Sequence, residues 1–253
     1  MIWTAIPMPP NKPIDLEICV ETAQGIAAAQ GQADRIELCS GLGVGGLTPS
    51  LGLMEMARDS GLETHVLIRP RSGDFEMDAR DLELCLKDIS TVRDCGLHGV
   101  VIGAVRDQAL DKDALSTMCA AAEGLVVTLH RAIDVVADPL QALDIAVDLG
   151  MARILTSGGA ENAVLGRAVL AELCSHAAGR IDIMAGGGIT PGNVAALLAD
   201  ADIDAIHASC GRKILLPDAY GAKGFGATRN VTDSATIKAL AAAISAQVEG
   251  QGL

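Results

Sequence analysis

The chain has 253 residues, half of them hydrophobic, and carries 32 acidic against 19 basic side chains for a net charge of −13. That balance excludes a nucleic-acid partner, because neutralising phosphates needs clustered Lys and Arg. No apolar run approaches the roughly 18 residues of a membrane span, so no membrane is expected either. Aromatic residues make up only 2 %, so the core must be built from Ala, Leu, Ile and Val.

In chain order, residues 1–13 read as an N-terminal extension. They hold Pro9, Pro10 and Pro13 but no charged stretch followed by an apolar one, so no secretory signal is expected. Residues 14–253 then repeat one unit: a short apolar strand, a Gly-rich or polar loop, and an Ala/Leu-rich helix. Strands are predicted at 14–19, 35–39, 65–69, 100–103, 126–130, 153–156, 181–185 and 205–209. Helices are predicted at 21–30, 51–60, 78–94, 111–122, 139–149, 161–177, 191–199 and 234–248. Asp138-Pro139 and Thr190-Pro191 carry the signature of an N-cap followed by a first-turn proline. Gly31, Gly61, Gly96 and Gly150 stand where helices should stop. Eight strands alternating with eight helices is the count of a single-domain α/β TIM barrel. The open doubly wound sheet is less favoured, because the repeats are evenly spaced and no GxGxxG follows the first strand.

Two segments echo each other: DLEIC, Asp15 to Cys19, and RIELC, Arg35 to Cys39. Strand side chains alternate between faces, so Glu17 shares a face with Cys19, and Glu37 with Cys39. On adjacent strands, two carboxylates and two thiols are expected to meet at one end of the sheet. The active end of such a barrel is the C-terminal end of its strands. There the chain also carries Arg69, Thr128, His130, Thr156, His207 and Ser209. An interior ion pair of Glu17 or Glu37 with Arg69 would account for single residues. It would not account for the whole set, since buried charges are costly unless well paired.

Three loops extend this constellation. Arg69-Pro70-Arg71 adds a second arginine after the third strand, and His130-Arg131-Ala132-Ile133-Asp134 follows the fifth. Gly186-Gly187-Gly188 runs toward a predicted helix N-terminus, where backbone N–H groups suit an anion. No lysine lies at a strand end, which argues against a Schiff-base aldolase. No HxH or HxxxH spacing offers a catalytic zinc site. Seven cysteines without CxxC spacing read as reduced thiols of a cytoplasmic protein, with Cys85, Cys95, Cys119 and Cys174 as core residues.

These motifs resemble the CutC family. The matching stretches are LEICVET, ADRIELCSGLGVGGLTPSLG, LIRPRSGDF, VTLHRAIDVVADP, RILTSGG, IMAGGGIT and the histidine of AIHASCG. The resemblance runs from Leu16 to Ser209. It departs at Cys210-Gly211-Arg212, and the segment to Thr228 matches poorly. It implies a TIM barrel, a cytoplasmic location, a homodimer or higher homo-oligomer, and Cu(I) bound through the thiols of Cys19 and Cys39.

Two functions are therefore expected to compete. In the first, copper is the partner, because soft thiolates select Cu(I). In the second, the chain is an enzyme for a small anionic metabolite, phosphorylated or carboxylated. Glu17, Glu37, His130 and Asp134 are then the catalytic candidates, with Arg69, Arg71, Gly186, Gly187, Gly188 and Ser209 binding the anion.

Overall fold

The structure is a computed structural model that describes residues 13–224 and 226–251. Of the expected N-terminal extension only Pro13 is described; residues 1–12 lie outside the described residues. Eight parallel strands close a barrel in sequence order. They are β1 (Asp15–Val20), β2 (Arg35–Leu38), β3 (Thr64–Leu67), β4 (Gly99–Ile102), β5 (Val126–Leu129), β6 (Arg153–Thr156), β7 (Asp182–Gly186) and β8 (Ala205–Ala208). Around them lie α1 (Ala23–Ala29), α2 (Leu51–Ser60), α3 (Ala79–Asp94), α4 (Lys112–Ala121), α5 (Pro139–Asp148), α6 (Arg167–Ala177), α7 (Val194–Asp200) and α8 (Ser234–Gln251). The TIM barrel read from the repeat is the fold. Among the described residues no helix is long and apolar enough to cross a membrane.

Helix boundaries follow local chemistry. Asp138 accepts hydrogen bonds from the backbone N–H groups of Leu140 and Gln141, so it caps α5 as expected, with Pro139 in the first turn. The α1 helix starts at Ala23 rather than Glu21 because Thr22 is its cap. The other expected cap is not one. Thr190 N–H donates to Asn193 Oδ1 and Asn193 Nδ2–H donates to the Gly188 carbonyl, which folds this stretch into a turn and delays α7 to Val194. Likewise residues 161–166 are turns, and α6 begins only at Arg167. Gly31, Gly61, Gly96 and Gly150 all have φ between 71° and 73°, a conformation that ends a helix with little cost only for glycine.

Strand alternation separates two interiors. Leu16, Ile18, Ile36, Leu38, Val66, Val100, Ile102, Leu129, Ile154, Ile183 and Ile206 face outward into one large apolar cluster shared with the helices. The inward set contains two small apolar clusters, Cys39/Leu67/Val101 and Leu155/Met184/Ala205. The rest of that interior is polar: Glu17, Arg35, Glu37, His65, Thr128, Arg153 and His207 are all buried. Barrel interiors are usually filled by branched aliphatic residues, so the polar filling is a feature in need of a cause.

Two short ribbons decorate the barrel. Val105–Arg106 pairs with Ala109–Leu110 after β4, and Gly211–Leu215 pairs with Thr228–Thr232 after β8. The second occupies the segment where the resemblance fades.

Just past β4, Gly103 leaves room for the His130 ring, since a Cβ there would sit 2.2 Å from His130 Cε1. Gly103→Ala is expected to push that ring out of place and cost about 1–3 kcal/mol, the usual range for overpacking. Urea unfolding of the variant against the wild type checks this; an unchanged midpoint would show that the ring is not held there.

Candidate functional site

The floor of the site is an ionic chain. Glu17 pairs with Arg35 in the β1–β2 register and with His207 in the β1–β8 register. Its Oε2 accepts a hydrogen bond from Arg35 Nε–H, and its Oε1 lies 2.8 Å from His207 Nδ1. Glu17 is fully buried. Burial alone would raise its pKa, but His207 and Arg35 outweigh it and hold the carboxyl well below the usual range. Arg35 continues the chain toward the other end of the barrel, with Nη1 at 3.5 Å from Asp15 and 3.8 Å from Glu63.

Above this floor stand Cys19, Glu37 and His207, with donor atoms all within 4.8 Å of one another. His207 Nε2 lies 3.7 Å from Glu37 Oε2. Burial opposes a charge on His207, but Cys19, Glu17 and Glu37 outweigh it and hold its pKa well above the ordinary value. Glu37 moves in the opposite sense to Glu17. Burial raises its pKa to about 7, with His207 opposing and Glu17 assisting. One carboxylate is thereby fixed in the ionised form and the other is poised near neutrality, the separation expected where two titratable groups take different roles.

The echo of DLEIC and RIELC is offset rather than level. Cys19 is the register partner of Glu37, and Glu17 the partner of Arg35. Strands of a barrel tilt and stagger, so Cys39 falls one layer further along than Cys19. It is fully buried against Leu67 and Val101, and its thiol donates to the Val20 carbonyl. Burial, then the charges of Glu37 and Cys19, push its pKa up. Cys39 is thus not among the three clustered donors.

The walls enclose a cavity of about 330 Å³ that Cys19, Glu37, His207, Arg69, His130 and Arg131 all line. Arg69 is not paired with Glu17 or Glu37. Its Nη1 donates to the Val44 and Gly46 carbonyls and its Nη2 to the Gly73 carbonyl. Its guanidinium lies 5.1 Å over the Phe75 ring, which in turn lies 4.8 Å from the His130 ring. His130 Nδ1 accepts the Ala132 N–H at 3.0 Å. Burial and the Arg69 charge lower its pKa to about 3, so the imidazole is neutral with its proton on Nε2.

Asp134 proves to be a fastener. It takes Arg131 Nε–H, the Thr156 and Ser157 hydroxyls, and the Ser157 and Gly159 N–H groups. This leaves Arg131 Nη1 beside Gly187, 3.6 Å from where a Cβ would sit there. Gly187 and Gly188 line the cavity with φ of 100° and 72°. Ser209 lines it too, but Gly186 is the last residue of β7 and does not. Arg71 is also outside. It is exposed and bound to Asp74, Asp81 and the Glu76 carbonyl, because its loop turns away from the mouth.

Sequence reading passed over Arg35, Arg131 and Phe75. Arg35 opens its strand, where a charge normally reads as solvent-facing; only the stagger places it under Glu17. Arg131 lay inside a quoted motif, and its placement between Asp134 and Gly187 depends on long-range contacts. Phe75 is one of two phenylalanines in the chain, a rarity that could have marked it.

Fold and site together define a TIM-barrel protein with a thiol, an imidazole and a carboxylate converging at its mouth. The family model described as the CutC family matches residues 14–212. A family protein CutC of Agrobacterium fabrum is 47 % identical over 243 residues, covering 94 % of this chain and 97 % of the relative. One of Caulobacter vibrioides is 49 % identical over 215 residues, covering 83 % and 88 %. The solved CutC of Streptococcus agalactiae, named for copper homeostasis, superposes with a TM-score of 0.74 at 29 % identity, covering 78 % of this chain and 99 % of its own. The chain belongs to the CutC family.

The raised pKa of Glu37 sets a pH dependence. Its folded value, about 7, exceeds its ordinary value of 4.5, so the folded state binds the extra proton between these limits. The stability this gives is complete below about pH 4.5 and is lost as pH rises through about 7. Glu37→Gln removes the effect. Relative to wild type, the variant is expected to gain about 2–3 kcal/mol between pH 4.5 and pH 8. Urea titrations of both proteins at the two pH values measure this, and a constant difference would mean that Glu37 ionises normally.

Proposed function

We propose that the barrel mouth is an acid/base site that moves a proton next to the carbonyl group of a small anionic metabolite. The observation that carries this reading is the pairing of Glu37 with His207 on the floor of a 330 Å³ cavity. A metal ion alone needs no such volume, and the walls are largely apolar, with Leu42, Leu67, Phe75, Leu155 and Ile189. Ligand sites of this kind combine apolar walls with a few convergent polar groups.

Glu37 has a pKa near working pH, the condition for efficient general-base chemistry. As a carboxylate it takes the proton from the carbon beside the carbonyl. The C–H electron pair becomes a C=C bond and the carbonyl oxygen becomes an enolate. His207, held by Glu17 through Nδ1 and with Nε2 3.7 Å from Glu37, returns a proton on completion, and the proton taken up by Glu37 passes to the vacated Nε2, restoring both groups. Arg69, Arg131 and the Gly187–Gly188 backbone provide the positive surroundings for the substrate's charge.

Deuterium uptake from D₂O by small 2-oxo acids, followed by NMR, tests this. Glu37→Gln is expected to slow uptake by about 10²-fold or more, in line with removal of a positioned base. Uptake undiminished in the variant, or none with wild type across the series, overturns the reading.

A second reading has its own observation, the clustering of Cys19, Glu37 and His207. Here Cu(I) is cargo, held by the Cys19 thiolate and the His207 imidazole, a soft pair suited to it. The Glu17 carboxylate on His207 Nδ1 is the usual support of a metal-binding histidine. Copper would have to displace the proton that Glu17, Glu37 and Cys19 hold on that ring. Cys39 stays outside this donor set. Under anaerobic competition with a chromophoric Cu(I) chelator, Cys19→Ser is expected to lose binding and Cys39→Ser to keep most of it. Equal losses in both variants would restore the pair of thiols as the site.

A further inference from the structure

A second cavity adjoins the mouth. It measures about 240 Å³ and shares Leu42 and Ser209 with the first as walls. The two differ in character. The walls of the first are largely apolar, whereas Glu21, Thr22, Ser209, Lys213, Asn230 and Thr232 give the second a polar lining. One side of it is the ribbon after β8, in which Lys213 is the register partner of Asn230 and Gly211 that of Thr232. Opposed residues of antiparallel strands present their side chains on one face, roughly 5 Å apart, so Lys213 and Asn230 stand side by side at the cavity. The ribbon is held at its base. Asp233 N–H donates to the Cys210 carbonyl, and Arg212 Nε lies 3.3 Å from Asp233. Thr232 Oγ1 sits 3.0 Å from where a Cβ of Gly25 would be, so the ribbon rests on α1.

The lining selects a kind of ligand. Glu21 is placed by its Oε2, which accepts the Leu42 N–H at 2.9 Å. Ser209, Lys213 and Asn230 are exposed, so their polar atoms are open to an incoming molecule. A carboxylate, an ammonium, a carboxamide and hydroxyls thus surround one space. A distal anion would meet Glu21, and a distal cation would meet Lys213. An alkyl tail would strip water from both charges without replacing its hydrogen bonds. A hydroxyl both donates and accepts, and a row of hydroxyls suits every group of this lining.

We propose that the second cavity is a subsite for a hydroxylated carbon chain, so that the ligand of the mouth is a polyhydroxylated acid. Its charged end lies in the first cavity, and its hydroxyl-bearing end extends past Leu42 and Ser209 to the ribbon. This rests on the reading of the mouth as the site of a small anionic metabolite, and it names the class of that metabolite. Lys213 and Asn230 determine specificity: they touch the far end of the ligand and take no part in proton transfer. The family model matches only as far as residue 212, so the residues that read the far end lie beyond the stretch it covers.

The test is calorimetry at neutral pH with lactate, 2-hydroxyhexanoate, 2-hydroxyadipate and gluconate as probes, on wild type, Lys213→Met and Asn230→Ala. All four probes carry the same 2-hydroxy acid head. The last three extend it equally, with an alkyl chain, a second carboxylate and a row of hydroxyls respectively. Gluconate is expected to bind wild type more tightly than lactate by roughly tenfold or more, as for two or more added hydrogen bonds. The alkyl and dicarboxylic acids should gain little over lactate. Each substitution is expected to cut the preference for gluconate over lactate by roughly three- to tenfold, the loss of one hydrogen bond. Both positions are exposed on the ribbon, so neither change enters the barrel core. In ¹⁵N-labelled wild type, gluconate should move the Asn230 side-chain NH₂ resonances and lactate should not, a readout that needs no variant. Gluconate that does not bind, or binds no better than lactate or the other two acids, overturns the proposal. So does a preference that survives in both variants, or an Asn230 amide that does not respond. The acid/base reading fails separately. Gluconate held by the ribbon while no 2-oxo acid exchanges deuterium would sink that reading and leave the subsite in place. Exchange into pyruvate by a wild type that shows no preference for gluconate would do the reverse.

Discussion

The buried carboxylate of Glu17 is the constraint around which the barrel interior is organised. An ionised group without water costs several kcal/mol unless it is matched closely. Here the match is double, a guanidinium on one oxygen and an imidazole on the other. Both partners are thereby buried too, and Arg35 recruits Asp15 and Glu63 in turn. The polar filling of the barrel follows from this one placement. Buried ion pairs add little net stability compared with aliphatic packing; what this chain does at the mouth is fix His207 in orientation and charge.

From that fixed histidine the properties of the upper layer follow. His207 carries its proton beside Glu37, so the ionisations of these two groups are linked. Cys19, Glu37 and His207 form the one cluster on which both proposed readings draw. The two functional readings are competing occupants of one geometry.

Much of this was legible in the chain. The eight strands and eight helices are where period and punctuation put them, mostly within two residues, because each unit carries its own stop signal. Glu17, Cys19, Glu37, His130 and His207 were identifiable because alternation assigns them to the face opposite Ile18 and Leu38. Register was not legible. Alternation says which face a residue takes, but the stagger of a closed barrel decides which residues stand level. Hence the thiols of Cys19 and Cys39, symmetric in sequence, occupy different layers. The same limit hid Arg35. Local reading also mistook Thr190 for a cap, when the Asn193 side chain reaches back to tie the preceding turn. It pointed Arg71 inward, whereas Asp74 and the Glu76 carbonyl in its own loop and Asp81 of α3 hold it outside.

The chain from Asp15 and Glu63 through Arg35 and Glu17 to His207 is continuous, each member in contact with the next. Its lower members are about half exposed, at 47 % of the side chain each, whereas its upper end sets the charge of the mouth. The two faces of the barrel, usually divided into a working end and an inert one, are here joined by one unbroken series of ion pairs. Asp15 and Glu63 are separated from His207 by only two side chains, Arg35 and Glu17.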